Sequence, residues 1–142
     1  MATETDEWLS NLLKHIGASA GTVHVRDGDG LRLMSAVNIP DVVKRAVEYV
    51  PNGKGMAGIA LHSGKPVQTC NLNDDNTGNV RPGAKAVSAK AAVAMPVRDG
   101  SGRIVAVVGV AFNEERELPD QEVSELMEAA ASVIGLVNPR TT

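Results

Sequence analysis

Val50-Pro51-Asn52-Gly53-Lys54-Gly55-Met56-Ala57-Gly58-Ile59-Ala60, followed by Ser63-Gly64-Lys65-Pro66-Val67, is the stretch on which the fold turns. Taken literally, Gly53 to Gly58 spells G-x-G-x-x-G, the pattern of a backbone loop that cradles a pyrophosphate. Such a loop needs a strand before it, a helix after it and an acid about twenty residues on. Here Asp41 to Val50 reads as a helix, and the next acids, Asp74 and Asp75, fall in a polar loop. Ser63-Gly64-Lys65 fails as a phosphate loop as well. Ser63 stands where the second glycine belongs, and Pro66 follows the lysine. What remains is a short apolar helix, Met56 to His62, between two turns, closed by Gly64.

The flanking sequence supplies the rest of the architecture. Thr3 to Asp6 offers a hydroxyl cap and first-turn acids, and Leu9, Leu12, Leu13 and Ile16 follow at helical spacing up to Gly17. Val23 and Val25 alternate with His24 and Arg26, which predicts a strand with His24 on a wet face. Asp27-Gly28-Asp29-Gly30 turns the chain into a second strand, where Leu31, Leu33 and Val37 alternate with Arg32 and Met34. Pro40 opens a helix whose stripe is Val43, Ala46, Val47 and Val50, ended by Pro51. Val67 to Cys70 is a short strand. Residues 71–90 are rich in turn residues, and a loop of that length is usually functional or mobile. Ala91 to Arg98, Asp99-Gly100-Ser101-Gly102 and Ile104 to Phe112 make a second hairpin. Its last strand is apolar on both faces and therefore central and covered. Pro119 opens a closing helix with an apolar stripe from Val123 to Val137, stopped by Asn138-Pro139. Hairpin-joined strands with helices at the ends predict an α+β domain built on a central antiparallel β-sheet.

Composition narrows the functional classes. The chain of 142 residues is expected to be one domain, residues 1–142, with Met1 as its native start and no room for an output domain. A single Cys70 excludes an intramolecular disulfide, and with no leader segment this reads as a cytoplasmic protein. No apolar run is long enough to cross a bilayer. The net charge of −3, with mixed signs, leaves no basic patch for nucleic acid. Trp8, Tyr49 and Phe112 are the only aromatic residues, too few to grip a large planar cofactor. This composition suits a small ligand, a small cavity or no ligand. His15, His24 and His62 fall on separate elements, so no metal site and no nucleophilic triad is expected.

The ordered motifs Pro-x-Gly-x-Gly-x-x-Gly, short helix and Ser-Gly-x-Pro-Val resemble the signature of the GAF family of sensory domains. Val23 to Val37 is similar to that family's opening hairpin, Val93-Ala94-Met95-Pro96-Val97 to its central apolar-x-Pro-apolar strand, and Leu118-Pro119-Asp120 to its closing helix. The resemblance covers about residues 11–137. It implies a GAF-like, PAS-related sheet with the terminal helices on one face and short helices and loops over the other.

It also implies a ligand held between the sheet and its cover, near Tyr49, Met56, Ile59, Asp74, Asp75, Asn76, Arg81, Ser88, Lys90 and Ala92, with Ala94 and Val110 as further inward positions. Arg81 or Lys90, with backbone N–H groups, would hold an anion. The expectation is a small-molecule sensor of bacterial signal transduction that is not an enzyme. It would bind a small polar or anionic ligand under loop 71–90, as a nitrate-receptor-like protein does, and signal to a kinase or regulator. No covalently bound cofactor is expected. Leu9, Leu12, Leu13 and Ile16 with Leu126, Ala130, Val133 and Val137 would pair with a second copy as a homodimer. A ligand-free dimerisation or interaction module is the alternative. A free methionine sulfoxide reductase is disfavoured, because Ala57 stands where that branch places a Cys and Cys70 has no resolving thiol. Cys70 reads as an inert buried thiol. The pieces of the cyclic-nucleotide branch's Asn-Lys-Phe-Asp-Glu signature are not found at matching places, and Leu118 stands where the family often has a Phe before its last helix.

Overall fold

The computed structural model describes residues 4–69, 91–114 and 117–137. Its elements run α1 (Glu4–Ile16), β1 (Ala20–Asp27), β2 (Gly30–Val37), α2 (Asp41–Ala46), β3 (Tyr49–Pro51), α3 (Gly55–Ser63), β4 (Val67–Thr69), β5 (Ala91–Arg98), β6 (Ile104–Phe112), α4 (Asp120–Ala131) and α5 (Ile134–Val137). The strands form one six-stranded sheet in the order β3-β2-β1-β6-β5-β4, and every pairing is antiparallel. The α+β expectation holds. β6, apolar on both faces, sits between β1 and β5 as a covered inner strand.

Each face of the sheet carries its own core. On one face Leu9, Leu12 and Leu13 of α1 and Leu126 and Ala130 of α4 pack with Val23, Met95, Val108 and Phe112. On the other, Ala60 and Leu61 of α3 pack with Leu31, Val50, Ala94, Ile104 and Val107. Removal of this apolar surface from water, at roughly 25 cal/mol per Å², is the main favourable term of folding.

The helix expected over Asp41 to Val50 is shorter than its apolar stripe suggests. Val47 N–H closes the last turn on the Val43 carbonyl at 3.0 Å. The chain then extends as β3, which pairs Tyr49, Val50 and Pro51 with Arg32, Leu31 and Gly30. Covering the open edge of β2 outweighs the helical periodicity. A strand therefore does precede Gly53. The dinucleotide reading still fails, because β3 and β4 lie at opposite edges of an antiparallel sheet and no parallel βαβ unit exists there.

The glycines of that run have local structural reasons. Gly53 and Gly55 adopt φ of 82° and 67°, the left-handed region that side chains disfavour. Gly58 packs so tightly that an added Cβ would collide with the Pro51 carbonyl oxygen. Its own carbonyl accepts the Gly53 N–H at 2.9 Å. At the far end Gly64, with φ of 71°, caps α3. The Arg98 guanidinium then ties the Gly64 and Gly102 carbonyls together at 3.0 and 2.7 Å.

His24 is not on a wet face. It is 3% exposed, because the side of β1 opposite α1 is also covered. Its Nε2 lies 2.8 Å from the Val47 carbonyl oxygen. Burial holds its pKa below the ordinary histidine value, against a smaller opposing effect of that bond. A register shift beside His24 makes Met34 the extra residue of β2, pairing Val23 with Ser35 but His24 with Leu33. The shift sends Leu31 and Val37, which share strand parity, to opposite cores.

The closing helix is also interrupted. At Ser132 and Val133 the backbone bonds reach back three residues, to Ala129 and Ala130, and the chain restarts as α5. The Ser132 hydroxyl donates to the Ala129 carbonyl and accepts the Trp8 indole N–H, both at 2.8 Å.

Two outcomes follow. Gly58→Ala lowers unfolding free energy by about 1–3 kcal/mol in urea titration, an overpacking cost that exceeds the roughly 1 kcal/mol gained in helix propensity. An unchanged midpoint would show that the Pro51–Gly58 contact is slack. For His24, the folded pKa lies below the unfolded value of about 6.5, so the unfolded chain binds the proton first. Stability attached to neutral His24 is complete above about pH 6.5 and is lost as pH falls toward the folded pKa. Melting at pH 7.5 and 5.5 should therefore show a larger drop for the wild type than for His24→Gln.

Candidate functional site

Among the described residues, the second face of the sheet is only partly filled. Across β1, β6 and β5 the register lines up Ala20, Ala111 and Ala92 in one rung and Thr22, Gly109 and Ala94 in the next. No side chain in either rung is larger than threonine. The third rung, His24, Val107 and Pro96, rises above them. The missing volume leaves a cavity of about 140 Å³. Its cover comes from Ile39, Val43, Val47 and Val50, and from Lys54 with the first turn of α3, residues Gly55, Met56 and Ala57.

The described wall is apolar apart from the Thr22 hydroxyl of the floor and three further polar features. Lys54 is exposed, lines the cavity and makes no ion pair among the described residues. The first N–H groups of α3 have no carbonyl partner within their own helix, and they lie at its positive end. His24 contributes a neutral ring whose Nδ1 is buried and has no hydrogen-bond partner among the described residues. The site can therefore shelter a small apolar body and neutralise an anionic end.

Of the residues expected to bind ligand, Met56 and Ala92 line the cavity, as do Ala94 and Val110. Tyr49 does not. It is 41% exposed on β3, with the Arg32 guanidinium 5.5 Å from its ring centre. Ile59 is absent from the wall because only the first turn of α3 reaches it. Asp74, Asp75, Asn76, Arg81, Ser88 and Lys90, with Cys70, lie outside the described residues. Lys54, His24 and the Gly109–Ala111 pair belong to the wall without having been anticipated. The alternation of Ala92 with Ala94 and of Gly109 with Ala111 was the available signal, since period two puts each pair on one face.

The stripe expected to meet a second copy is largely used within the chain. Leu9, Leu12, Leu13, Leu126, Ala130 and Val133 are buried in its own core. Only Ile16 and Val137 of that set are partly buried at the rim. Among the described residues no three of His, Cys, Asp and Glu are grouped to hold a metal, and no helix is long and apolar enough to cross a membrane.

Comparison with known proteins agrees with this geometry. Among solved structures, the type II free methionine-R-sulfoxide reductase of Thermoplasma acidophilum superposes with a TM-score of 0.75 at 14% identity, covering 94% of this chain and 92% of that one. The GAF domain of the Acinetobacter phosphoenolpyruvate-protein phosphotransferase gives 0.74 at 14% identity, covering 93% and 78%. A domain assigned to a two-component sensor histidine kinase protein of Sinorhizobium meliloti gives 0.71 at 14% identity, covering 96% and 90%. At these identities the likeness shows the shared fold. A search of curated proteins found no match. The sequence matches the GAF domain family over residues 4–137, and with the curled antiparallel sheet, its two covers and its hollow second face, the chain belongs to that family.

Proposed function

We propose that this GAF domain is a ligand-sensing module of signal transduction. Its ligand has a short apolar body and an anionic end, and is held in the cavity between the small-residue rungs and the start of α3. One observation carries the reading: a cavity of about 140 Å³ with an apolar floor, and with Lys54 and the α3 N-terminus on its wall. That volume is close to the roughly 150 Å³ apolar cavity that accepts benzene, which sets the ligand at about six non-hydrogen atoms. The expected polar ligand is thereby narrowed, because an all-polar molecule would leave its groups unpaired against alanine and valine.

Transmission would run through the floor. β1 and β5 carry the cavity on one face and pack against α1 and α4 on the other. Gly21 leaves no slack, since a Cβ there would press on Leu9, Leu13 and the Gly109 carbonyl. A ligand that favours one strand position would bias α1, provided it binds the two arrangements with different affinity. A kinase or regulator reading α1 and α4 is the partner this suits. A second copy would meet the rim residues and not the buried stripe.

Calorimetric titration with short monocarboxylates tests the reading. Ala92→Leu fills the floor and should abolish binding without lowering the melting temperature. Lys54→Gln should weaken binding by up to about fivefold, the worth of one solvent-exposed ion pair. Binding undiminished in Ala92→Leu would refute the cavity as the site. The absence of binding by any small anion would favour the ligand-free interaction module.

A further inference from the structure

The floor of the cavity carries one side-chain hydroxyl. Thr22 of β1 stands opposite Gly109 of β6, in the rung that Ala94 of β5 completes. All three residues border the cavity. The direction of the hydroxyl is fixed by its neighbour, because a Cβ built on Gly109 would lie 3.0 Å from Thr22 Oγ1. The oxygen therefore leans across the floor, beside the space that a side chain at 109 would take. Thr22 is half-buried, and its hydroxyl makes no hydrogen bond among the described residues. Nor is it sealed off. The one unpartnered side-chain polar atom closed to water among those residues is His24 Nδ1, so Thr22 Oγ1 is open. A hydroxyl is one donor and a double acceptor, and here that capacity is free, on a bed of alanine and glycine.

We propose that Thr22 is the specificity residue of this cavity and selects a short carboxylic acid that carries one further oxygen, as a hydroxyl or an oxo group. The inference rests on the cavity reading above and specifies its ligand. A ligand of about six non-hydrogen atoms fills a cavity of about 140 Å³, so with its carboxylate at Lys54 its other end covers the floor. A methyl group laid there strips water from the Thr22 hydroxyl and returns nothing, whereas an oxygen restores the lost bond. An ammonium fits worse than either oxygen group. No Asp or Glu is among the described residues bordering the cavity, so a second full charge would meet an apolar wall with no counter-ion. Gly109 has a part in the same device, since a side chain there would push the hydroxyl aside. Thr22 thus reads the ligand's second polar group, separately from the groups that supply charge.

The test titrates lactate, pyruvate and isobutyrate into the wild type, Thr22→Val and Thr22→Ser. The three acids differ at one carbon, which bears a hydroxyl, an oxo group or a methyl. In the wild type at least one oxygenated acid should bind about tenfold more tightly than isobutyrate, the ratio one well-made hydrogen bond supplies. Preference for lactate alone makes Thr22 the acceptor, and any preference for pyruvate makes it the donor. Thr22→Val replaces the hydroxyl by a methyl at nearly the same shape, and there isobutyrate should bind at least as tightly as the others. Thr22→Ser keeps the hydroxyl and should keep the wild-type order. Isobutyrate binding as well as both oxygenated acids in the wild type, a preference that survives Thr22→Val, or its loss in Thr22→Ser would overturn the role of Thr22 while leaving the cavity reading intact. Failure of all three acids to bind the wild type would overturn the cavity reading, and this inference with it.

Discussion

The structure depends on an inequality of side-chain size across one sheet. On the α1 and α4 side the inner strands present Val23, Met95, Val108 and Phe112, which fill the space beneath the helices. On the opposite side the same strands present Ala20, Thr22, Ala92, Ala94, Gly109 and Ala111, which do not. Antiparallel register sets these small residues shoulder to shoulder. Had they been scattered, neighbouring side chains would have closed over each gap, because interiors pack to high density. Aligned, they leave a hollow that α2 and α3 bridge over. One face thus holds the larger core, and the other, with a smaller core of its own, encloses the cavity.

Much of the fold was legible because its signals are local. The two Asp-Gly turns, the apolar run of Ile104 to Phe112 and the Gly64 cap each specify their structure within a few residues. What was illegible depends on partners distant in sequence. β3 is three residues long and exists because β2 offers an open edge. The Met34 bulge leaves no compositional mark, yet it reverses which core Val37 joins. The stripe of the last helix runs on through Ser132, whereas the backbone tightens there around Ala129 and Trp8.

The site was legible in part for a related reason. Met56 and Ala92 follow from position within the family pattern, which fixes where the cover meets the floor. Tyr49 was placed by the same family pattern, but it lies exposed on β3 beside Arg32. His24 was misread for want of knowing that both faces of β1 are covered. A polar residue in an alternating strand looks solvated until the second cover is known. Lys54 was passed over because exposed lysines are common, and only the cavity beside it makes this one informative.

The junction of the first and last helices has a practical consequence. Trp8 is the only tryptophan of the chain. Its indole N–H reaches across 124 residues to Ser132, at the point where the closing helix is interrupted. Indole emission depends on the polarity and hydrogen bonding around the ring, so the protein's tryptophan fluorescence originates entirely at the seam between α1 and the closing helical segment. A shift of one helical segment against the other would change that colour, giving an optical gauge of this seam that needs no attached dye.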